Sequence, residues 1–217
     1  RYVFFNTWDM KKQVIFINWA VPKENFESFQ KYLESREYNP FEEKFLNWNK
    51  TLGDKLGDEY EYLRAPLEEV HFADYESWKM MFEKMFPYLN DEIILATTSL
   101  GSTFIMKYLW ENDGILIPKT QKKARIKKLF FIAPAIEDTP NEKLGTFSFD
   151  LDLCYNKIQR WSEQIYIYHS SDDDLVPIEQ SLKLKTYFPD AIFREFEHRG
   201  HFYKEAELPE IVEDIKN

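Results

Sequence analysis

The chain has one cysteine, Cys154, in 217 residues, so an internal disulfide framework is excluded. It also has no apolar run near the roughly 20 residues that crossing a bilayer as a helix requires. Basic residues are in deficit: 28 Lys and Arg stand against 38 Asp and Glu, a formal net charge of -10. Such a surface repels nucleic acid and anionic lipid, so neither nucleic acid nor a membrane is expected as a partner. Glycine is missing where a nucleotide-binding α/β protein needs it, in the first βα turn Asn18-Trp19-Ala20-Val21-Pro22. Without it the backbone cannot approach a pyrophosphate closely, and no dinucleotide or other cofactor is expected. Metal-ligand spacing is lacking as well. His169 with Asp172, Asp173 and Asp174 has suitable ligand types, but no H-x-H, H-E-x-x-H or paired-cysteine pattern supports a site, and no metal is expected. The first 19 residues carry Asp9, Lys11 and Lys12 where a signal peptide would be apolar, so a reduced, cytoplasmic setting is expected.

What is present suits one large core. Of the residues, 44% are hydrophobic and 18% aromatic, with no linker or low-complexity stretch, and a single domain over 1–217 is expected. Short apolar or alternating runs predict parallel strands at 13–18, 59–64, 93–97, 126–132, 164–169 and 191–196, with a short leading strand at 2–5. Helical patterns fall at 25–33, 40–55, 75–85, 178–187 and 208–215, the third starting at Asp74 as a plausible cap. Residues 137–157 read as a long irregular loop, of the kind that often binds ligand, and its aromatics hint at an apolar pocket. Tyr75, Trp78 and the methionines near them read as core. His71 reads as a solvated loop histidine. Strands alternating with helices imply an α/β fold, a three-layer domain with a mainly parallel, about six-stranded sheet.

In such a sheet chemistry collects at the carboxyl ends of the strands. Three polar stations stand there: Ser99, the run Asp172, Asp173 and Asp174, and His201. Ser99 sits in T-x-S-x-G between an apolar run and an amphipathic one, where a strained strand-to-helix corner would expose a nucleophile. A serine before a helix is equally an N-cap, so that motif alone leaves both readings open. The acidic run is equally a solvated turn, and His201 equally a packed loop residue. The chain order Ser, Asp, His is the order an α/β-hydrolase uses. His201 is preferred to His198 because Gly200 gives its loop the turn freedom a catalytic loop needs; His169 lies in or at the end of a strand.

The segments T-T-S-L-G-S, H-S-S-D-D-D-L-V-P and R-G-H-F resemble the triad motifs of the retinoblastoma-binding serine hydrolase family and its bacterial relatives, small α/β-hydrolases. The likeness covers nearly the whole chain, including Tyr75 and Trp78 and the acidic helix after His201. It implies a carboxylesterase-like enzyme with Ser99 as nucleophile, Asp173 as triad acid and His201 as base. It further implies an oxyanion hole made by the backbone N–H of Leu100 and one from Trp19 or Ala20. The partner implied is a small-molecule acyl substrate; the L-x-C-x-E motif is absent around Cys154, and no protein partner is inferred. This chain departs from the family's pattern at Thr97 and Thr98, where G-H precedes the serine, and at Asn18-Trp19-Ala20, where a glycine-rich turn is usual. The alternative is a hydrolase-like binding protein whose altered turn has lost the oxyanion hole.

Overall fold

A computed structural model describes residues 11–20, 25–35, 47–67, 73–139 and 143–217. Eight strands occur among them: β1 (Lys12–Ile17), β2 (Tyr60–Arg64), β3 (Glu92–Thr98), β4 (Leu116–Ile117), β5 (Lys122–Lys123), β6 (Arg125–Ile132), β7 (Ser162–Ser170) and β8 (Ile192–Phe196). The two-residue strands β4 and β5 form a separate antiparallel hairpin. The other six pair in parallel in the order β2-β1-β3-β6-β7-β8, which is the 2-1-3-4-5-6 order of the fold the sequence resembles. The leading strand expected at 2–5, residues 40–46 of the helix expected at 40–55, and His71 lie outside the described residues.

Seven helices accompany the sheet: α1 (Phe26–Ser35), α2 (Trp48–Leu56), α3 (Tyr75–Glu83), α4 (Leu100–Asn112), α5 (Leu151–Trp161), α6 (Ile178–Tyr187) and α7 (Pro209–Lys216). Because strand side chains alternate between faces, each central strand feeds two cores. Ile15, Ile17, Leu95 and Phe131 pack in a cluster with Trp78 and Phe82 of α3, Phe104 of α4 and Ile158 of α5. Phe16, Ile94, Ile132 and Tyr168 pack in a second cluster with Trp48 and Leu52 of α2 and Ile211 and Ile215 of α7. Nine of the ten residues from Leu100 to Leu109 are buried, as befits a helix between the sheet and a second helix layer.

The stretch 137–157 is only in part the irregular loop its composition suggests: Glu137, Thr139, Lys143 and Leu144 line a small cavity beside Ser99, whereas the residues from Leu151 onward form α5. Asp150 caps α5 by accepting from the Asp152 N–H at 2.9 Å, and Leu151, Cys154 and Ile158 bury one face. Upstream, Phe147 is fully buried against Trp78, with ring centroids 5.2 Å apart. Burying such a ring stabilises by about 1.5–3 kcal/mol, so this aromatic folds into the core instead of lining a substrate pocket. Asp74 caps α3 as the pattern implies, accepting from the Ser77 N–H at 3.0 Å. At the far end of the chain the Asp214 carboxylate accepts from Arg194 Nε at 2.6 Å and from the Tyr168 hydroxyl. Burial first, and then that carboxylate, push the Tyr168 hydroxyl far above the ordinary phenol range. This clamp ties α7 to β7 and β8, and the segment between β8 and α7 carries His201.

Candidate active site

Ser99 occupies the corner between β3 and α4 with φ 49° and ψ -122°. A non-glycine residue is rarely held there, and such a backbone costs on the order of 1–3 kcal/mol. Its side chain makes no capping hydrogen bond, so Ser99 is not serving as an N-cap. Its backbone is fully used: the N–H donates to the Ile132 carbonyl at 2.9 Å, and its own carbonyl accepts from Ser102 at 2.9 Å.

Thr97 stands where the usual elbow motif has glycine, and its hydroxyl explains how it fits. It donates to the Phe130 carbonyl at 2.7 Å and lies 2.8 Å from the Ser102 hydroxyl, so the extra side chain is bonded inside the elbow. Gly101 has no such latitude. A Cβ built there would stand 2.5 Å from the Asn18 carbonyl oxygen and 2.7 Å from that of Ile17, both backbone atoms. Helix α4 therefore seats directly on the end of β1. Gly101→Ala is expected to destabilise by about 1–3 kcal/mol, overpacking outweighing the better helix propensity of alanine. Thermal denaturation checks this; an unchanged or raised melting temperature would show that the contact yields without cost.

The same seating brings the first βα turn to the serine. Ala20, Ser99, Leu100, Ala135 and Val176 share a cavity of about 10 Å³ with Glu137, Thr139, Lys143 and Leu144, room for about one water. Leu100 is the first residue of α4, where backbone N–H groups lack helical partners. Trp19 is half-buried and is not among the walls of this cavity.

The acidic run after β7 divides its labour. Asp173 is buried, and its Oδ1 accepts from the backbone N–H of Leu175 at 2.9 Å and of Val176 at 3.0 Å. Its Oδ2 lies 2.7 Å from His201 Nδ1, joining residues at the ends of β7 and β8. Burial works to raise this carboxyl, but the His201 hydrogen bond and charge, with the two backbone donors, hold it below the usual carboxylate range. Asp172 is exposed and does a different job: Oδ1 accepts from the Ser170 hydroxyl and from the Gly200 N–H, the latter at 3.2 Å, which fastens the His201 loop. Those contacts hold its carboxyl low, the Ser170 bond foremost. His198 is exposed, with φ 63°, and His201 is the histidine brought to the acid. Trp48 secures the other side of the loop, donating from Nε1 to the Phe202 carbonyl at 3.1 Å.

Two further residues belong here: His169, which the sequence set aside as a metal ligand and as a base, and Ser181, which it passed over. His169 and Ser181 are fully buried and lie 2.6 Å apart, and His169 reaches the acid loop. The available signal was the position of His169 four residues before Asp173, within one motif. Both ring nitrogens of His169 are engaged by protein groups, which removes it as a metal ligand. No group of three or more His, Cys, Asp or Glu able to hold a metal occurs among the described residues. No helix among them is long and apolar enough to cross a membrane.

No protein-family model and no curated protein matches the chain. Solved structures do. The ydeN gene product of B. subtilis superposes with a TM-score of 0.72 at 19% identity, covering 95% of this chain and 97% of that one. Est1E from Butyrivibrio proteoclasticus gives 0.59 at 14% identity, over 97% and 88% of the two chains. The Paleococcus ferrophilus monoacylglycerol lipase gives 0.58 at 10% identity, over 94% and 91%. With the strand order above, the chain has the α/β-hydrolase fold.

Proposed function

We propose that this protein is a serine hydrolase of carboxylesterase type, cleaving small esters or related acyl substrates through an acyl-enzyme. One observation carries the reading: His201 Nδ1 lies 2.7 Å from a buried carboxylate whose other oxygen is saturated by backbone N–H groups. That carboxylate is held ionised and lies at hydrogen-bond distance from the His201 imidazole, which is what an acid that fixes the tautomer of a base requires. Ser99, in a strained corner that no capping bond explains, is the proposed nucleophile. The naming of a similar Rhodothermus marinus domain as an esterase and of the Paleococcus protein as a lipase supports the same class of reaction.

In the proposed cycle Ser99 Oγ attacks the substrate carbonyl while His201 Nε2 takes its proton. Asp173 holds Nδ1–H and stabilises the imidazolium. The N–H of Leu100, with that of Ala20 or Trp19, receives the oxyanion, and Ala20 is favoured because it shares the cavity with Ser99. His201 then protonates the departing alcohol, and water, activated by the same imidazole, releases the acid. The cycle needs no metal or cofactor. The finer kinship, with the retinoblastoma-binding serine hydrolases and their bacterial relatives, and a cytoplasmic setting belong to the same proposal.

The test is fluorophosphonate labelling followed by intact-mass measurement, with p-nitrophenyl acetate turnover alongside. One adduct at Ser99 and measurable turnover are expected. A folded protein that stays unmodified would instead be the hydrolase-like binding protein.

A further inference from the structure

His169 ends β7 with its ring fully buried, and its partners decide its tautomer. Nε2 lies 2.9 Å from the Val176 carbonyl oxygen, which can only accept, so Nε2 carries the hydrogen. Nδ1 is then a bare acceptor, matched by the Ser181 hydroxyl of α6 at 2.6 Å. Burial is the main influence holding His169 below the ordinary imidazole range, which agrees with a neutral ring. The groups acting on that ring by charge are Asp173, Glu179 and His201.

The ring grips the peptide that grips the acid. Val176 offers its carbonyl to His169 and its N–H to Asp173 Oδ1 at 3.0 Å. His169 Nε2 also faces Asp173 Oδ2 at 3.5 Å, the oxygen that His201 uses. Asp173 thus stands between two imidazoles: His201, at hydrogen-bond distance from Oδ2, and His169, anchored from behind by Ser181 of α6. We propose that His169, held as the Nε2–H tautomer by the Val176 carbonyl and seated on the Ser181 hydroxyl, is a positioning residue that holds the Asp173 carboxylate in register with His201. The assignment rests on the triad reading above and adds a residue that touches no substrate.

Four variants test it, with kcat, KM and the kcat–pH profile measured on p-nitrophenyl acetate. The downfield proton resonance of His201 Nδ1–H is followed as a readout independent of turnover. His169→Leu keeps bulk without an N–H, and His169→Gln keeps an N–H near the Nε2 position. Hydrogen bonds to charged groups are worth one to two decades in an equilibrium, so His169→Leu is expected to lower kcat by about 10-fold to 100-fold with KM within about twofold. It should also shift the pH profile and move the His201 resonance. His169→Gln should recover most of both, and Ser181→Ala, which removes the hydroxyl that seats Nδ1, should fall between them. A His169→Leu protein that is less stable yet keeps the wild-type kcat, profile and resonance would overturn the proposal and leave His169 as packing. Asp173→Asn is run alongside to separate the two readings. If it too keeps wild-type turnover, the triad reading has failed; the His201 resonance then decides for or against His169 by itself.

Discussion

Ser99→Ala is expected to lower ester turnover by roughly 10^4-fold to 10^6-fold, which is the loss that removing a triad nucleophile brings. At about 1.4 kcal/mol per decade this is roughly 5–8 kcal/mol of transition-state stabilisation. The same change should leave the melting temperature nearly untouched. Ser99 makes no capping bond, so no cap is lost, and alanine keeps the Cβ and hence the strain at φ 49°. Ser99→Gly separates the two effects, since glycine adopts that backbone without steric cost. It should be equally inactive yet more stable, by about 0.5–2 kcal/mol once the entropy of a more flexible unfolded chain is subtracted. Both are read by p-nitrophenyl acetate assay and thermal denaturation on the same preparations. A Ser99→Ala protein with wild-type turnover would assign the activity to another site, whereas a large stability loss would mean that the hydroxyl has a structural partner after all.

Asp173→Asn should cost turnover about 10^4-fold while changing the shape of the site hardly at all. The asparagine can still accept from the N–H groups of Leu175 and Val176 through its oxygen. Its amide would then face His201 Nδ1 with a donor where a carboxylate accepted, favouring the tautomer with hydrogen on Nε2, which cannot take the serine proton. KM should change little, because Asp173 is buried and away from substrate. The pH dependence of stability should change in a defined direction. Asp173 has a lowered folded-state pKa, so its stabilising contribution is present above the ordinary carboxylate range and is lost as pH falls through the folded value. His169 works in the same sense at higher pH. Its folded pKa lies below the ordinary imidazole value, so stability begins to fall as pH drops beneath that value, where the unfolded chain takes the proton first. In acid titrations of melting temperature the Asp173→Asn protein should keep the His169 slope and lose the carboxylate one. Turnover within tenfold of wild type would remove Asp173 from the mechanism.

The sheet was legible because central parallel strands are short apolar runs bounded by polar corners, as with Ile93, Ile94 and Leu95 before Thr97 and Ser99. The three stations were legible for the same reason: each polar cluster follows such a run. The conformation of Ser99 was not, since a nucleophile corner and an N-cap place the same residue at the same site and differ only in φ, ψ and bonding. Helix α5 was hidden because Leu151, Cys154 and Ile158, although at helical spacing, were read together with the irregular residues before them, and the cap Asp150 sits among other acids. Asp172, Asp173 and Asp174 were separable only through motif likeness. What distinguishes them physically is the turn after β7, which buries the carboxylate of Asp173 against His201 and leaves Asp172 at the surface holding Gly200. His169 was weighed as a metal ligand and as a rival to His201, but its place behind the acid was not legible, because its partners Val176 and Ser181 are brought to it only by folding.

The loop that carries His201 has a weaker hold on the molecule than the other two stations. Ser99 and Asp173 follow strands β3 and β7, whose pairings run along both sides of each strand. The His201 loop follows the edge strand β8, which is paired on one side only, and is moored by the buried Phe202 ring, by Trp48, by Asp172 and by Arg199, which pairs with Glu205 and Glu210. Segments outside the paired strands open at free energies below that of global unfolding. Heat should therefore silence the proposed activity before it melts the protein. Amide exchange around residues 197–205 should run ahead of the central strands, and cooling should restore activity without any refolding step. Resistance to inactivation would then be gained by fastening this loop to α2, not by enlarging either core.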